Sequence, residues 1–171
     1  AILGEIDFLH AKGKYSLEIL GAEPMMKPSG ILKLQRAFHP ILLNNHGRGK
    51  VVPLDIEIGE EYCALVITGP NAGGKRVAMK TVGLLSLMAQ SGCHIPASAE
   101  SELPVFTRLF VDMGDEQSIE NDLSSFSSHL QNLKTVLDAV DSSSLVLLDE
   151  IGNGTDPVEG SSLAAAVLER L

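Results

Sequence analysis

The stretch Gly69 to Lys75, which reads GPNAGGK, decides how the rest of this sequence is interpreted. It fits the pattern G-x-x-x-x-G-K and lies between an apolar segment, Tyr62 to Thr68, and a proline-free segment rich in Leu, Met and Ala, Val77 to Gln90. This short pattern has a physical meaning when the turn joins a buried strand to a helix. Backbone N–H groups of such a turn point at phosphate oxygens, and the helix N-terminus adds partial positive charge. The sequence therefore predicts a phosphate-binding loop between a buried strand and a largely buried helix.

Within this glycine loop, Lys75 is predicted to reach the β and γ phosphates of ATP. The next position should be Ser or Thr, whose hydroxyl binds the Mg²⁺ that bridges those phosphates, but here it is Arg76. Arginine cannot ligate a cation, although its guanidinium can pair with a phosphate. The sequence therefore predicts nucleotide binding with impaired hydrolysis. The predicted cofactor-binding residues of this segment are Gly69, Pro70, Asn71, Ala72, Gly73, Gly74, Lys75 and Arg76.

A second motif is acidic. It consists of Asp149 and Glu150, which directly follow an apolar strand, Leu145 to Leu148. Asp149 is predicted to hold Mg²⁺, usually through water, and Glu150 to orient and polarise the attacking water, because phosphoryl transfer depends on positioning and charge stabilisation. An acidic pair at a strand end is by itself a weak signal of an ATPase. The signal becomes specific in a sequence that also contains the glycine loop. Glu150 and Lys75 are therefore the predicted catalytic residues, and Asp149 is the predicted metal ligand.

Apolar segments of strand length alternate with helical patterns along the chain, which predicts an α/β fold with a largely parallel sheet. The first helix is expected to be broken or loosened near Gly13, and the last to begin near Gly160. Between them, the periodicity predicts strands in Val51 to Ile58 and Leu109 to Met113, and a helix from about Ser125 to Ala139. The predicted buried face of that helix consists of Leu130, Leu133, Leu137 and Val140.

A cluster of serines lies at the start of that helix, and its first member, Ser124, has two interpretations. Ser124 is a favourable residue type for a helix N-cap. Alternatively, the helix N-terminus faces the γ phosphate of a nucleotide bound by a partner subunit, and Ser124 donates to it. The residues alone leave both interpretations open.

Composition limits the classes of function. The formal net charge of −9 predicts that this domain is a poor DNA clamp by itself, so any DNA contact of the parent protein is expected mainly elsewhere. Cys63 and Cys93 lie in apolar segments and are expected to be buried, reduced thiols. The longest apolar runs fall far short of the roughly 20 residues that span a bilayer, and no secretory leader is expected, so the chain is predicted to be soluble and cytoplasmic, without membrane contact. The five histidines lack metal-ligand spacing and are expected to be surface or hydrogen-bonded core residues.

The order of these motifs resembles the ATPase domain of the MutS family, a relative of the ABC-type ATPases, and the resemblance covers nearly the whole chain. The motifs that carry it are Thr68 to Lys75, Gly92 to Ala97 (GCHIPA), Ser124-Ser125-Phe126, and Asp149 to Thr155 (DEIGNGT). Three further segments, Asp115 to Leu123, Ser127 to His129 and Asp7 to Lys12, are similar to the second bacterial type of MutS. The last of these resembles the end of that type's long lever helix.

The resemblance implies an ABC-type P-loop ATPase core that binds ATP and Mg²⁺ and works as a homodimer. Each of two composite ATP sites would take the glycine loop and the acidic pair from one subunit and Ser124 from the other. Such proteins couple nucleotide state to clamping on mismatched or branched DNA, in repair and in restraining recombination. The second type usually carries a C-terminal Smr nuclease domain, and some of its members act on collided ribosomes.

By the same resemblance, residues 1–22 would be the end of the lever helix, residues 23–50 a connector, and residues 51–171 the ATPase core. The family's switch histidine and the final strands of the sheet are expected beyond Leu171. An ATPase that drives a DNA-binding dimer is the first hypothesis, and a nucleotide-binding or dimerisation scaffold with little hydrolysis, which Arg76 favours, is the second. An ABC transporter subunit is disfavoured, because such subunits carry an LSGGQ-like sequence where this chain has Leu123 to Phe126.

Overall fold

The computed structural model describes residues 2–59, 61–70, 73–113 and 122–171, with the backbone alone for 122–126. The chain forms two compact units, Ala1–Val105 and Phe106–Leu171. Among the described residues, no helix is both long enough and apolar enough to cross a membrane.

The first unit contains a four-stranded mixed sheet with three helices. Strand order is β1-β4-β2-β3, in which only the β1–β4 pair is parallel and the other pairs are antiparallel. Its most deeply buried apolar side chains are Leu34, Leu85, Ile95 and Leu103. The elements are α1 (Ile2–Ile19), β1 (Met25–Lys27), β2 (Leu32–Ala37), α2 (Pro40–His46), β3 (Leu54–Ile58), α3 (Lys75–Gln90) and β4 (Glu102–Pro104).

The second unit is a parallel β-α-β arrangement followed by one more helix. Strands β5 (Arg108–Asp112) and β6 (Ser144–Leu148) pair in register from Arg108 and Ser144 to Asp112 and Leu148. Helix α4 (Asp122–Ala139) joins them, and α5 (Pro157–Arg170) follows. Because the strands are parallel, their carboxyl ends lie at the same edge of the sheet. The acidic pair that follows β6 therefore lies beside the end of β5.

The turn that begins β6 is held by Asp141. Its carboxylate accepts hydrogen bonds from the Ser143 and Ser144 hydroxyls at 2.7 and 2.9 Å, and it lies 3.0 Å from the Arg108 guanidinium. The Ser143 hydroxyl, then that of Ser144, and more weakly Arg108 hold the pKa of Asp141 below its usual value. This turn fixes the starts of both β5 and β6.

Helix α1 is continuous through Gly13, so the expected break is wrong. No heavy atom lies within 4 Å of a Cβ placed on Gly13, and a single exposed glycine costs a helix only about 1 kcal/mol. The helix is anchored at its C-terminal end, where Ser16 Oγ lies 2.7 Å from His94 Nδ1 and Arg48 donates to the Ile19 carbonyl at 2.8 Å. Local helix propensity predicted a break at Gly13, but these tertiary contacts stabilise α1 as a continuous helix.

The segment 62–68 differs most from expectation. It was predicted to be a buried strand, yet among the described residues no strand pairs with it, and Tyr62 and Val66 are 72% and 64% exposed. Cys63 is exposed as well, so its predicted burial is wrong, whereas Cys93 is half-buried. An apolar run reports a tendency to be buried, but a strand also needs a neighbouring edge, which the run itself does not encode.

The buried face of α4 is shifted from the predicted one. Leu133 is buried as expected, but Leu130 is 38% exposed and Val136 is buried in its place. Leu133 and Val136 are three residues apart and share a face with His129, four residues before Leu133. Helix α4 therefore presents a face that begins with a histidine and continues with apolar side chains.

His39, at the start of α2, is expected to make the stability of the folded chain depend on pH. Within the described part of the chain, its Nδ1 is a buried atom without a hydrogen-bond partner. Desolvation, followed by repulsion from Lys80, lowers the pKa of His39 below its ordinary value of 6.5. The folded state therefore disfavours protonation, so the contribution of His39 to stability is complete above pH 6.5 and is lost as pH falls through the folded pKa.

We expect thermal unfolding of the chain to shift to lower temperature between about pH 7.5 and pH 5, in the range where histidines titrate, by more than it does in a His39→Asn variant. Asparagine keeps a side chain suited to a helix N-cap but does not titrate. The control is His10→Asn, which makes the same exchange at an exposed position of α1. Equal slopes for the unchanged chain and for His39→Asn would contradict this account of His39.

Candidate functional site

The glycine loop lies at the N-terminus of α3 in the first unit. The helix begins at Lys75, and its N-cap is Gly74, whose φ of +80° lies in the left-handed region. Gly69 has a φ of +141°, and no heavy atom lies within 4 Å of a Cβ placed on either glycine. Backbone conformation, not crowding, is therefore the reason for glycine at both positions. Asn71 and Ala72 lie outside the described residues.

The loop is closed by short-range contacts. The Gly73 N–H donates to the Pro70 carbonyl at 2.9 Å, and the Ala78 N–H donates to the Gly74 carbonyl at 2.9 Å. The Lys75 ammonium donates to the Gly69 carbonyl, so the lysine folds back over the loop. Lys75, the predicted phosphate-binding lysine, thus contacts the backbone of the loop that is predicted to bind the phosphates.

Arg76 is the second residue of α3 and is half-buried. The next hydroxyl along the helix belongs to Thr81, which is buried and donates to the Val77 carbonyl at 2.6 Å. Thr81 is therefore committed to its own helix and does not replace the hydroxyl that the pattern requires after Lys75.

The acidic pair lies at the carboxyl edge of β5 and β6 in the second unit. The Asp149 N–H donates to the Asp112 carbonyl at 2.9 Å, which extends the strand pairing by one residue beyond Leu148. Asp149 is half-buried and Glu150 is exposed. Glu150 has a φ of +54°, a left-handed conformation that is uncommon for a residue with a side chain and that clusters at functional positions.

A tight turn holds Glu150 in this conformation. Asn153 donates from its backbone N–H to the Glu150 carbonyl at 3.0 Å, and from its side-chain amide to Glu150 Oε2 at 2.8 Å. Gly152 lies against Gly160 of α5, and a Cβ on Gly152 would come within 2.6 Å of the Gly160 Cα. The side chain of Asp156 caps α5 by accepting from the Val158 N–H at 2.9 Å. The carboxylate of Glu150 is therefore oriented by contacts that converge from one turn.

Two further polar side chains join the acidic pair. Asp112 is the last residue of β5, and its Oδ2 lies 3.1 Å from His129 Nδ1 on α4. The two side chains are 12% and 31% exposed. Both line a shallow pocket at the strand ends, together with Leu133, Asp149, Glu150 and Asn153.

Sequence reasoning did not identify Asp112 or His129 as site residues, although each leaves a signal. Asp112 ends an apolar strand that precedes β6, and the carboxyl ends of neighbouring parallel strands meet at one edge. His129 lies four residues before the buried Leu133, on the same face of α4. Within the described residues, no group of three or more His, Cys, Asp or Glu side chains is arranged to hold a metal ion.

Ser124 is placed differently from the first expectation. Helix α4 begins at Asp122, so Ser124 lies inside its first turn and is not the N-cap. An aspartate in the first turn of a helix is stabilised by the helix dipole, which favours this earlier start. The side chain of Ser124 lies outside the described residues.

The glycine loop thus lies in the first unit and the acidic pair in the second, and each is described by its own local contacts. The sequence profile of MutS domain V matches residues 65–171, more than half of the chain. This chain belongs to the MutS family. The matched region of this chain begins just before the glycine loop and ends with α5, so it contains both the glycine loop and the acidic pair.

Individual relatives agree with this assignment and confirm the similarity to the second bacterial type of MutS. The MutS chain is 52% identical over 170 residues to the Endonuclease MutS2 of Caldanaerobacter subterraneus subsp. tengcongensis. It is 51% identical to the proteins of the same name from Halalkalibacterium halodurans, over 168 residues, and Alkaliphilus metalliredigens, over 170 residues. These alignments cover 98–99% of the chain and 21% of each relative. The chain therefore spans about a fifth of the length of these relatives.

Proposed function

We propose that this chain is the ATP-binding and ATP-hydrolysing part of a MutS-type protein that acts on mismatched or branched DNA as a homodimer. The observation that carries the proposal is the start of α3 at Lys75, directly after a glycine in the left-handed conformation. Such a start leaves the first N–H groups of the helix without acceptors in the helix and directs them at the loop, where a phosphate can accept from them.

The residues on the loop fit the phosphates of a nucleotide. The Lys75 ammonium contacts the Gly69 carbonyl, and a phosphate oxygen would replace that carbonyl as the stronger, charged acceptor. No heavy atom of the described residues lies within 4 Å of a Cβ placed on Gly69 or Gly74, which supports the approach of a phosphate to the backbone at these glycines. In this proposal Lys75 neutralises charge that develops on the transferred phosphoryl group.

The acidic pair would perform the other half of the reaction. The Glu150 carboxylate is held by Asn153 and would accept a hydrogen bond from the attacking water, which orients that water. Asp149 would hold Mg²⁺, whose chemistry is to neutralise the β and γ phosphate oxygens. The fit to Mg²⁺ is incomplete, because Arg76 stands where the loop should offer a hydroxyl and Thr81 is committed elsewhere.

That incomplete metal site favours a second candidate function, a nucleotide-binding or dimerisation scaffold with little hydrolysis. The half-buried Arg76 brings a permanent positive charge to the start of α3, where it can assist phosphate binding without assisting a metal ion. The net charge of −9 supports DNA contact through other parts of the protein in both candidates. The word endonuclease in the names of the relatives describes proteins about five times as long as this chain.

Replacing Lys75 with alanine tests whether the glycine loop binds nucleotide. We expect the affinity for ADP, measured by calorimetry, to fall by roughly ten- to a hundredfold, because a hydrogen bond to a charged group contributes about 1.5–3 kcal/mol. The matched control is Lys80→Ala, which removes the same charge from an exposed position of the same helix and should leave the affinity nearly unchanged. An equal loss in both variants would show only a long-range charge effect, and no loss in either would remove the nucleotide site from this loop.

A further inference from the structure

Asp112 lies where the pairing of β5 and β6 ends and the turn at Glu150 begins. It is the last residue of β5, and its carbonyl accepts the Asp149 N–H at 2.9 Å, one residue beyond the last strand pair. The chain turns at the next residue, because Glu150 has a φ of +54°. The carbonyl of Asp112 therefore fixes the point at which the turn that carries the Glu150 carboxylate leaves the sheet.

The side chain of Asp112 is held from α4. Its Oδ2 lies 3.1 Å from His129 Nδ1, and the imidazole is the donor because an ionised carboxylate can only accept. Both side chains are only partly exposed, and a hydrogen bond to a charged group is stronger where water is excluded. A side chain that is held in this way restricts the backbone of its own residue, so the carbonyl of Asp112 keeps its direction.

His129 is supported by a packed face of its helix. Leu133 and Val136 on that face are buried, and α4 packs against β5. Moving His129 away from Asp112 therefore requires exposure of apolar side chains, which opposes the movement. The imidazole is a donor in a fixed place, unlike that of a histidine on an exposed helix surface.

We propose that Asp112 and His129 are positioning residues for Glu150, in which His129 holds the Asp112 side chain and the Asp112 carbonyl holds the amide that precedes the glutamate. The inference rests on the proposed function, in which Glu150 orients the attacking water. In this role neither residue touches the reacting atoms, and both act within one subunit. Their effect is on the rate of hydrolysis, because a displacement of about 1 Å in a positioned group can lower a rate by about 10²-fold.

Steady-state hydrolysis by the full-length protein, together with calorimetry of ADP binding, tests the role in the reaction. His129→Leu removes the donor, and we expect kcat to fall by roughly ten- to a hundredfold. The affinity for ADP should stay nearly unchanged, because the turn acts on the attacking water and the glycine loop acts on the phosphates. His129→Asn keeps an N–H near the position of Nδ1 and should recover most of the lost rate.

The matched control is Asp138→Asn, which removes a charge from an exposed position of α4 and should leave kcat unchanged. A leucine variant of His129 with the kcat of the unchanged protein would overturn the inference. The same conclusion would follow if the asparagine variant were as slow as the leucine variant, because the hydrogen bond would then not be the cause.

Hydrogen exchange on the same proteins tests the geometry without nucleotide. In His129→Leu we expect exchange of the Asp149 and Asn153 amides, which flank the glutamate, to rise by roughly tenfold, the effect of losing one hydrogen bond to a charged group. In His129→Asn both should stay near their original rates. The Ser144 amide at the other end of β6 is the internal control, and an equal rise there would show a general loss of stability and contradict a positioning role.

The two measurements separate this inference from the proposed function. If the unchanged protein hydrolyses no ATP, the hydrolytic part of the proposed function is wrong, and hydrogen exchange still decides whether the pair positions the turn. If it hydrolyses ATP and His129→Leu changes neither kcat nor the exchange of the Asp149 amide, the inference is wrong and the proposed function stands. Asp112→Asn replaces the charged acceptor with a neutral one and should give a smaller loss in the same direction, which provides a second variant if the leucine variant does not fold.

Discussion

The replacement of Arg76 with threonine is expected to make nucleotide binding depend on Mg²⁺ and to raise ATP turnover by roughly 10²- to 10³-fold, the range for one strong electrostatic contact in a transition state. Threonine supplies the hydroxyl that the loop lacks and removes a positive charge from the place where a dication should bind. Thr81 does not serve this purpose in the unchanged chain, because its hydroxyl donates to the Val77 carbonyl.

The measurement is calorimetry with Mg²⁺ and with chelator, joined to steady-state hydrolysis in the full-length protein. Arg76→Ala is the control that separates the two causes, since it removes the guanidinium without adding a hydroxyl. If alanine restores as much Mg²⁺ dependence as threonine, the charge of Arg76 is the obstacle and the hydroxyl contributes little. An unchanged protein that already binds nucleotide more tightly with Mg²⁺ has another ligand, and this account of Arg76 is then wrong.

A second large effect is expected where Gly152 and Gly160 meet. Gly160 lies in helix α5, where alanine is normally more stable than glycine by about 1 kcal/mol. Here a Cβ on Gly160 would collide with the carbonyl oxygen of Gly152 and come within 3.2 Å of its carbonyl carbon. We therefore expect Gly160→Ala to destabilise the second unit by about 2–3 kcal/mol, within the range for overpacking, although alanine is the better helix former.

Urea unfolding followed by circular dichroism measures this cost. Gly152→Ala should cost more, because it adds the strain of a φ of +83° to the same collision. Gly47→Ala is the matched control for strain alone, since Gly47 has a φ of +76° and no heavy atom within 4 Å of an added Cβ. A stabilised Gly160→Ala variant would show that the two backbones move apart easily and that the turn at Glu150 is not held by this contact.

The sequence predicted α3, α4, β5 and β6 well because each depends on short-range signals. Helix α3 follows a glycine in the left-handed conformation, and the two strands are apolar runs that end in acidic residues. The paired acidic residues and the glycine loop were predicted as site motifs for the same reason, since each motif is contiguous in the chain.

The features that were missed depend on contacts between distant residues. Asp112 and His129 are 17 residues apart and become site residues only when α4 folds back over the parallel pair of strands. The contact of Gly152 with Gly160 requires the turn to return against α5. The exposure of segment 62–68 has the same origin, because pairing depends on an edge that another part of a protein must supply.

That exposed segment has a consequence for the thermodynamics of the loop it precedes. One flank of the glycine loop is the ordered helix α3, and the other is segment 62–68, in which Tyr62, Leu65 and Val66 are exposed to water. A ligand that fixes the loop also restricts this flank, at a conformational entropy cost of about 1–2 kcal/mol for each residue ordered. Burial of its apolar side chains then gives the association a negative heat-capacity change. Measured affinity for nucleotide therefore reports the ordering of this flank together with the complementarity of the loop.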